Sequence, residues 1–148
     1  VTVRVVDTTG WMPWQIDVYW PEIFAAMAAL KAKLPDEVSY SVLLSCWHSG
    51  RRKLWLVLND DAFMAFAMTE IETNLATGKR FVTLKDMAGA GVIKARAEIC
   101  AALEAYAASE GITDKRIEGL PAGGKVTAAY GYEPSTTILR KRVDADGV

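Results

Sequence analysis

Residues 79–91 read Lys-Arg-Phe-Val-Thr-Leu-Lys-Asp-Met-Ala-Gly-Ala-Gly, an apolar and β-branched run that ends in two glycines. Lys79–Lys85 has the composition of a strand, and Asp86–Gly91 reads as a loop in which glycine allows a tight turn. Beyond it, Val92, Ile99, Leu103 and Tyr106, with the alanines among them, fall on one helical face. That spacing predicts the longest helix of the chain over Val92–Glu110, with Gly111 in place for a left-handed cap. A strand, a glycine turn and a long helix in this order put unpaired amide groups at a helix start. Backbone charge is positive there and suits an anion.

Working upstream, Lys53–Leu58 reads as a strand, Asn59-Asp60-Asp61 as a turn, and Phe63 to about Thr73 as a longer strand, so the two make a hairpin. A period of two puts Met64, Phe66, Met68, Glu70 and Glu72 on one face, with Phe63, Ala65, Ala67, Thr69 and Ile71 on the other. Both faces are largely apolar, which predicts a central strand covered on both sides. Asn74–Gly78 turns the chain into the strand that opened this reading.

Further out, Thr2–Val6 is a short strand ended by Asp7–Gly10, and an aromatic connection follows with Trp11, Trp14, Tyr19 and Trp20. Three of the five tryptophans lie there. The window is either a flap over the core or an exposed contact surface, and the flap is favoured because Trp usually buries most of its ring. Pro21 suits a first helical position, and Ile23, Met27, Leu30 and Leu34 form an amphipathic stripe. Pro35 ends that helix, and Asp36 is placed to cap a second, with Val38, Val42, Leu43 and Cys46 inward and Gly50 as its stop. Downstream of Gly111 we expect a strand near Lys115–Glu118, a loop over Leu120–Gly124, a helical stretch to Ala129, a strand over Thr136–Arg142, and a frayed tail over 144–148. A single domain over 1–143 is expected.

Composition narrows the function classes. Of 148 residues, 51% are hydrophobic and 24% charged, the make-up of a globular domain with a real core. Seventeen basic residues against eighteen acidic ones give −1, so there is no global field for nucleic acid or an anionic membrane. Cys46, Cys100 and the single His48 lack metal-ligand spacing, and the cysteines read as buried thiols. With neither an 18-residue apolar run nor a basic segment leading into one, a cytoplasmic protein is expected.

The pieces resemble the GNAT N-acetyltransferase superfamily, and most nearly small GNAT-like proteins of phages and prophages, some encoded among virion genes. The matching segments are Thr69-Glu70-Ile71, Phe81–Gly91, Ala101–Gly111, Tyr130-Gly131-Tyr132 and Thr137–Lys141. The resemblance implies an α/β (α+β) fold. Its central sheet is mixed but mostly antiparallel, with helices on both faces and a parallel step across the long helix. It also implies acyl transfer from acetyl-CoA to an amine.

On that reading Gly89, Ala90 and Gly91 bind the pyrophosphate, and Glu70, or Glu72 beside it, is the base, the nearness of the two acids raising one pKa. Tyr130 is the candidate acid. Lys79 and Arg80 can pair with the two glutamates instead. Two positions depart from the family pattern: Asp86 stands where Gln or Arg is usual, and Thr127 where a Tyr is usual. A carboxylate about 5 Å from a phosphate charge costs roughly 3 kcal/mol at an effective dielectric of about 20, so Asp86 is expected either to point away or to fill the anion site itself. A decayed site would leave a non-catalytic virion structural or assembly protein, meeting its partners through Trp11, Trp14 and Trp20.

Overall fold

A computed structural model describes residues 2–118, 128–133, 135 and 141. Five strands, β1 (Val3–Asp7), β2 (Arg52–Asn59), β3 (Ala62–Thr73), β4 (Arg80–Ala88) and β5 (Asp114–Ile117), form one sheet in chain order. The first four pair antiparallel, and β4 with β5 is parallel, the step crossing α4 (Arg96–Ser109). Helices α1 (Pro13–Asp17), α2 (Trp20–Lys33) and α3 (Tyr40–His48) precede β2. The expected mixed sheet with helices on both faces and one parallel step is what the chain adopts.

The sheet divides the interior in two. Leu54, Leu56, Leu58, Phe66 and Met68 face Ile23 and Met27 of α2 and Leu43 of α3. On the other side Val57, Ala65, Ala67, Val82 and Leu84 face Ile99, Leu103 and Ala107 of α4. Buried alternation on both faces of β2 and β3 is why these strands read as apolar throughout. Cys46 and Cys100 are free buried thiols on α3 and α4.

Two register shifts alter what strict alternation predicts. In β3 the pairing skips between Val57 and Leu58, so Met64 is an extra residue. Phe63 therefore joins Phe66 against the first core, and Met64 joins Ala65 against the second, the reverse of the expected assignment. In β4, Asp86 lies opposite Met68 and Leu84 opposite Thr69, which leaves Lys85 as the extra residue.

Other boundaries also move. Asp86–Ala88 continue β4 and are not loop, because β3 is long enough to pair with them. The long helix begins at Arg96 instead of Val92, after a run of turns over 90–95. Ser39, not Asp36, caps α3 by accepting from the Val42 N–H, and Val42 itself is 51% exposed. The strand expected over Thr136–Arg142, apart from Lys141, lies outside the described residues, as do Leu120–Gly124, Thr127 and the 144–148 tail.

The glycine turn is shaped by β3. A Cβ built on Gly89 would stand 2.4 Å from the Met64 carbonyl oxygen and 2.5 Å from the Ala65 Cα, at φ +141. Gly78, at φ +71, has nothing within 4 Å of a built Cβ. Gly89→Ala is therefore expected to lose about 2–4 kcal/mol, combining steric overlap with backbone strain, and Gly78→Ala about 1 kcal/mol. Urea unfolding of both variants measures the difference, and equal losses would contradict this packing.

Candidate functional site

Seven charged side chains, Arg51, Arg52, Glu70, Glu72, Lys85, Asp86 and Glu118, are linked by ion pairs at one end of the sheet. Arg52 opens β2 in phase with buried Leu54 and Leu56, so its side chain enters the interior and needs partners. Its Nε donates to Glu70 Oε1 at 3.0 Å, and its Nη1 donates to Asp86 Oδ2 at 2.8 Å. Arg51 lies 3.4 Å from the other Glu70 oxygen. Two residues along β3, Glu72 accepts from Thr83 Oγ1 at 3.1 Å and pairs with Lys85 at 3.1 Å, and Lys85 also donates to Glu118 at 2.9 Å.

This geometry corrects the expected pairing. Glu70 and Glu72 are held by Arg52 and Lys85, whereas Arg80 reaches across to the Glu110 carbonyl at 2.8 Å. Nor is Glu70 the acid whose pKa is raised. Burial pushes its carboxyl up, but the Arg52 hydrogen bond and the charges of Arg51, Arg52 and Lys85 outweigh burial and hold it below the ordinary value. Asp86 goes the other way. Burial raises it and Glu118 adds to the rise, against the opposing pull of Arg52 and Lys85.

Asp86 does not fill the anion site, because its carboxylate is engaged by Arg52. The amides at the turn have other fates. The Gly91 N–H donates to the Met64 carbonyl at 3.2 Å, so that member of the expected phosphate cradle is already taken. Among the described residues, the N–H groups of Ala90, Ile93 and Lys94 have no hydrogen-bond partner. Ala90, Ile93, Lys94 and Arg96 are exposed, which sets two cations beside those amides. Sequence reading missed both cations, although their place at the start of the helix was visible.

Beside the turn, the parallel ladder stops. β5 pairs with Phe81–Leu84 only, and after Glu118 donates to the Leu84 carbonyl, β4 runs on to Ala88 with β3 alone. Among the described residues that edge of β4 is open. Tyr130 sits half-buried in a 3₁₀ turn, Ala128–Tyr130. Tyr132 packs against the α4 core, its hydroxyl buried without a hydrogen-bond partner among the described residues and its pKa pushed up to about 12 by burial, then by the nearby Cys100 and Glu104.

An open cleft of about 400 Å³ lies at the ends of β1 and α3 and the start of β2, lined by Thr8, Trp11, Trp47, His48 and Arg52 among others. The tryptophan window divides its roles. Trp11 and Trp20 are half-buried over the first core, whereas Trp14 is 66% exposed. Trp20 meets Phe24 at 4.4 Å and Trp47 at 5.8 Å between ring centroids.

No family model matches the sequence, and no curated protein matches it significantly. Solved structures do match in shape. A probable acetyltransferase covers 95% of this chain and 96% of its own at TM-score 0.67 and 14% identity. An aminoglycoside acetyltransferase from an uncultured soil metagenomic sample, solved with trehalose, covers 97% and 96% at TM-score 0.61 and 7% identity. An aminoglycoside N-acetyltransferase in complex with CoA covers 95% and 98% at TM-score 0.57 and 17% identity. The chain has the fold of the GNAT acetyltransferase superfamily. At these identities the likeness establishes the fold and leaves the chemistry to the residues.

The charge cluster makes a stability prediction. Glu70 has a depressed folded pKa, so its ionised form stabilises the fold above the ordinary value of 4.5, and that contribution fades as pH falls through the depressed value. Glu70→Gln should be less stable than wild type at pH 7, with the gap closing below pH 4.5. Arg52→Ala strands two carboxylates and should lose about 3–5 kcal/mol at pH 7. Chemical denaturation across pH checks both. A constant Glu70→Gln gap would contradict the assignment.

Proposed function

We propose that this protein transfers an acyl group from acetyl-CoA to an amine. The observation that carries the reading is the set of unpartnered amides at Ala90, Ile93 and Lys94, beside a β4 edge that no described strand covers. Such amides suit phosphate oxygens, and Lys94 and Arg96 supply positive charge there. The backbone of β4 beyond Leu84, which no described strand pairs on that side, suits the amide groups of a pantetheine chain. Gly89 and Gly91 contribute by letting the turn lie against Met64 and Ala65.

When bound, acetyl-CoA supplies an activated acyl carbon and a thiolate leaving group. The chain's own residues handle protons and position. Asp86 stands just past the point where β4 leaves β5, one oxygen held by Arg52, with a pKa raised by burial. A carboxylate raised in this way is a stronger base than Glu70, which two arginines hold down. We therefore assign proton uptake from the acceptor amine to Asp86, directly or through one water, with Glu70 positioning Arg52 behind it. Glu72, tied to Thr83 and Lys85, is assigned a supporting role in the same charge network. Tyr130, half-buried in its 3₁₀ turn, is the proposed donor to the departing thiolate.

A second reading, a non-catalytic binding module, is favoured by one observation: Met12, Trp14 and Val18 leave 55%, 66% and 68% of their surface exposed around α1. The likenesses in shape are to acetyltransferases and carry no argument for a phage virion role.

Calorimetric titration separates the two readings. Acetyl-CoA should bind with micromolar affinity, and at about a hundred times the dissociation constant it should add about 2.7 kcal/mol of stability. Lys94→Glu with Arg96→Glu should weaken binding about tenfold or more at low salt. Asp86→Asn should keep that binding and lower kcat by about a hundredfold or more. An absence of acetyl-CoA binding in wild type would overturn the acyl-transfer reading.

A further inference from the structure

We infer that Lys85 and Glu118 are positioning residues for the proposed base: their ion pair ties the end of β5 to the β4 bulge and fixes how the two strands part beside Asp86. Asp86 has its role on the acyl-transfer reading, on which the inference rests, whereas the tie itself belongs to the fold and is measured separately.

β5 pairs with β4 only from Phe81 to Leu84, and the last rung described is the Glu118 N–H donating to the Leu84 carbonyl at 3.1 Å. The next residue of β4, Lys85, is the one that bulges against β3. Its ammonium donates to Glu118 Oε1 at 2.9 Å and lies 3.1 Å from Glu72 Oε1 on β3. One side chain thus joins β3, β4 and the end of β5 at the point where the last two separate. Only 15% of it is exposed, so its charge requires these acids. A ladder that ends on a single hydrogen bond opens readily, and a half-buried ion pair across that last rung holds it closed.

The charge balance goes beyond that of a clamp. Arg51, Arg52 and Lys85 face Glu70, Glu72, Asp86 and Glu118, three bases to four acids, and Glu118, at 57%, is the most exposed of the four. Glu72 alone would balance Lys85. The added acid opposes ionisation of Asp86, where a base needs proton affinity. Burial raises the Asp86 carboxyl most, Arg52 pulls it down, Glu118 raises it and Lys85 lowers it. The other elements around it bring no further acid or base against it among the described residues. Met68 stands opposite on β3, and Glu70 meets Asp86 through Arg52. From α3, Cys46 lies near Arg52 and His48 shares the cleft wall with it. From α2, Ile23 and Met27 turn inward, and Lys31 is given to the Val38 carbonyl. Holding Glu118 on Lys85 therefore keeps two opposed charges at set distances from Asp86.

The test is a carbon-detected NMR titration of the Asp86 carboxyl in the full chain, for wild type, Glu118→Gln, Lys85→Met and Lys85→Arg. Glu118→Gln should move the Asp86 midpoint to lower pH, Lys85→Met should move it to higher pH, and Lys85→Arg should leave it near wild type. Hydrogen exchange at the Glu118 amide should quicken about tenfold or more in Lys85→Met and stay within about threefold in Lys85→Arg. A general loss of stability would not move one carboxyl in opposite directions. An Asp86 midpoint unmoved by Glu118→Gln, a shift in the same direction in both variants, or unchanged Glu118 exchange in Lys85→Met would overturn the inference. Glu118 is more than half exposed, so its variant should fold and decides the matter even if Lys85→Met does not. Acetyl-CoA titration of wild type is run in parallel. Cofactor binding with an unmoved Asp86 refutes the tie alone. Opposed shifts without cofactor binding refute the acyl-transfer reading and leave the tie standing.

Discussion

Between Leu84 and Asp86 the fourth strand does two things at once. It gives up its parallel partner, and it takes in an extra residue against β3. Regular alternation would put Asp86 in phase with Leu84 and Val82, against the apolar α4 core, where a carboxylate has no compensating partner. The bulge at Lys85 shifts the phase by one. Thr83, Lys85 and Asp86 then all engage the charged face, and Met87 returns to the α4 side. Everything proposed for the site depends on this shift, because it sets an acid against its arginine beside a strand edge that no described strand covers.

Arg52 links that bulge to the rest of the fold. It is an arginine at a buried strand position, and it is held on one side by β3 through Glu70 and on the other by β4 through Asp86. Removing a partner from such a group costs more than the group adds when paired, so the triad is better understood as fixing geometry than as adding stability. The unequal shifts of its two acids follow from their surroundings. Glu70 has two arginines beside it, and Asp86 has one arginine with Glu118 near.

Among the described residues, the order of the five strands and of α2, α3 and α4 was legible from residue pattern alone, because long apolar strands and a helix closed by Gly111 are strong periodic signals, whereas the five-residue α1 was read as a connection. The bulges were not. Both are single-residue offsets that arise from pairing between strands, and neither Met64 nor Lys85 is a residue type that marks an irregularity. For the same reason the reading assigned Phe63 and Met64 to the wrong faces. The helix start was misplaced because Val92 and Ala95 do face inward, yet they do so from turns. Arg52 was readable in principle, since alternation from Leu54 and Leu56 places it inward and an inward arginine requires an acid. Its two partners lie 18 and 34 residues away, and no local pattern names them.

The departure at Asp86 changes meaning once its partner is known. A lone carboxylate near the phosphate turn would repel the very ligand the turn suits, which made the residue look like decay. It lies 2.8 Å from Arg52, in a group where Arg51 and Arg52 balance Glu70 and Asp86, and the field of a neutral group falls off faster with distance than that of a lone charge. The same pairing leaves one carboxylate oxygen without a described partner, and burial keeps its proton affinity above the ordinary value. On the acyl-transfer proposal, an acid in this position can serve as the base without the electrostatic cost that its sequence position implied. Reversing the exchange, with Asp86→Gln, would restore the usual polar residue but leave Arg52 with Glu70 as its only acid. Arg51 and Arg52 would then face one acid between them, so the exchange should leave phosphate binding intact while removing the proposed base.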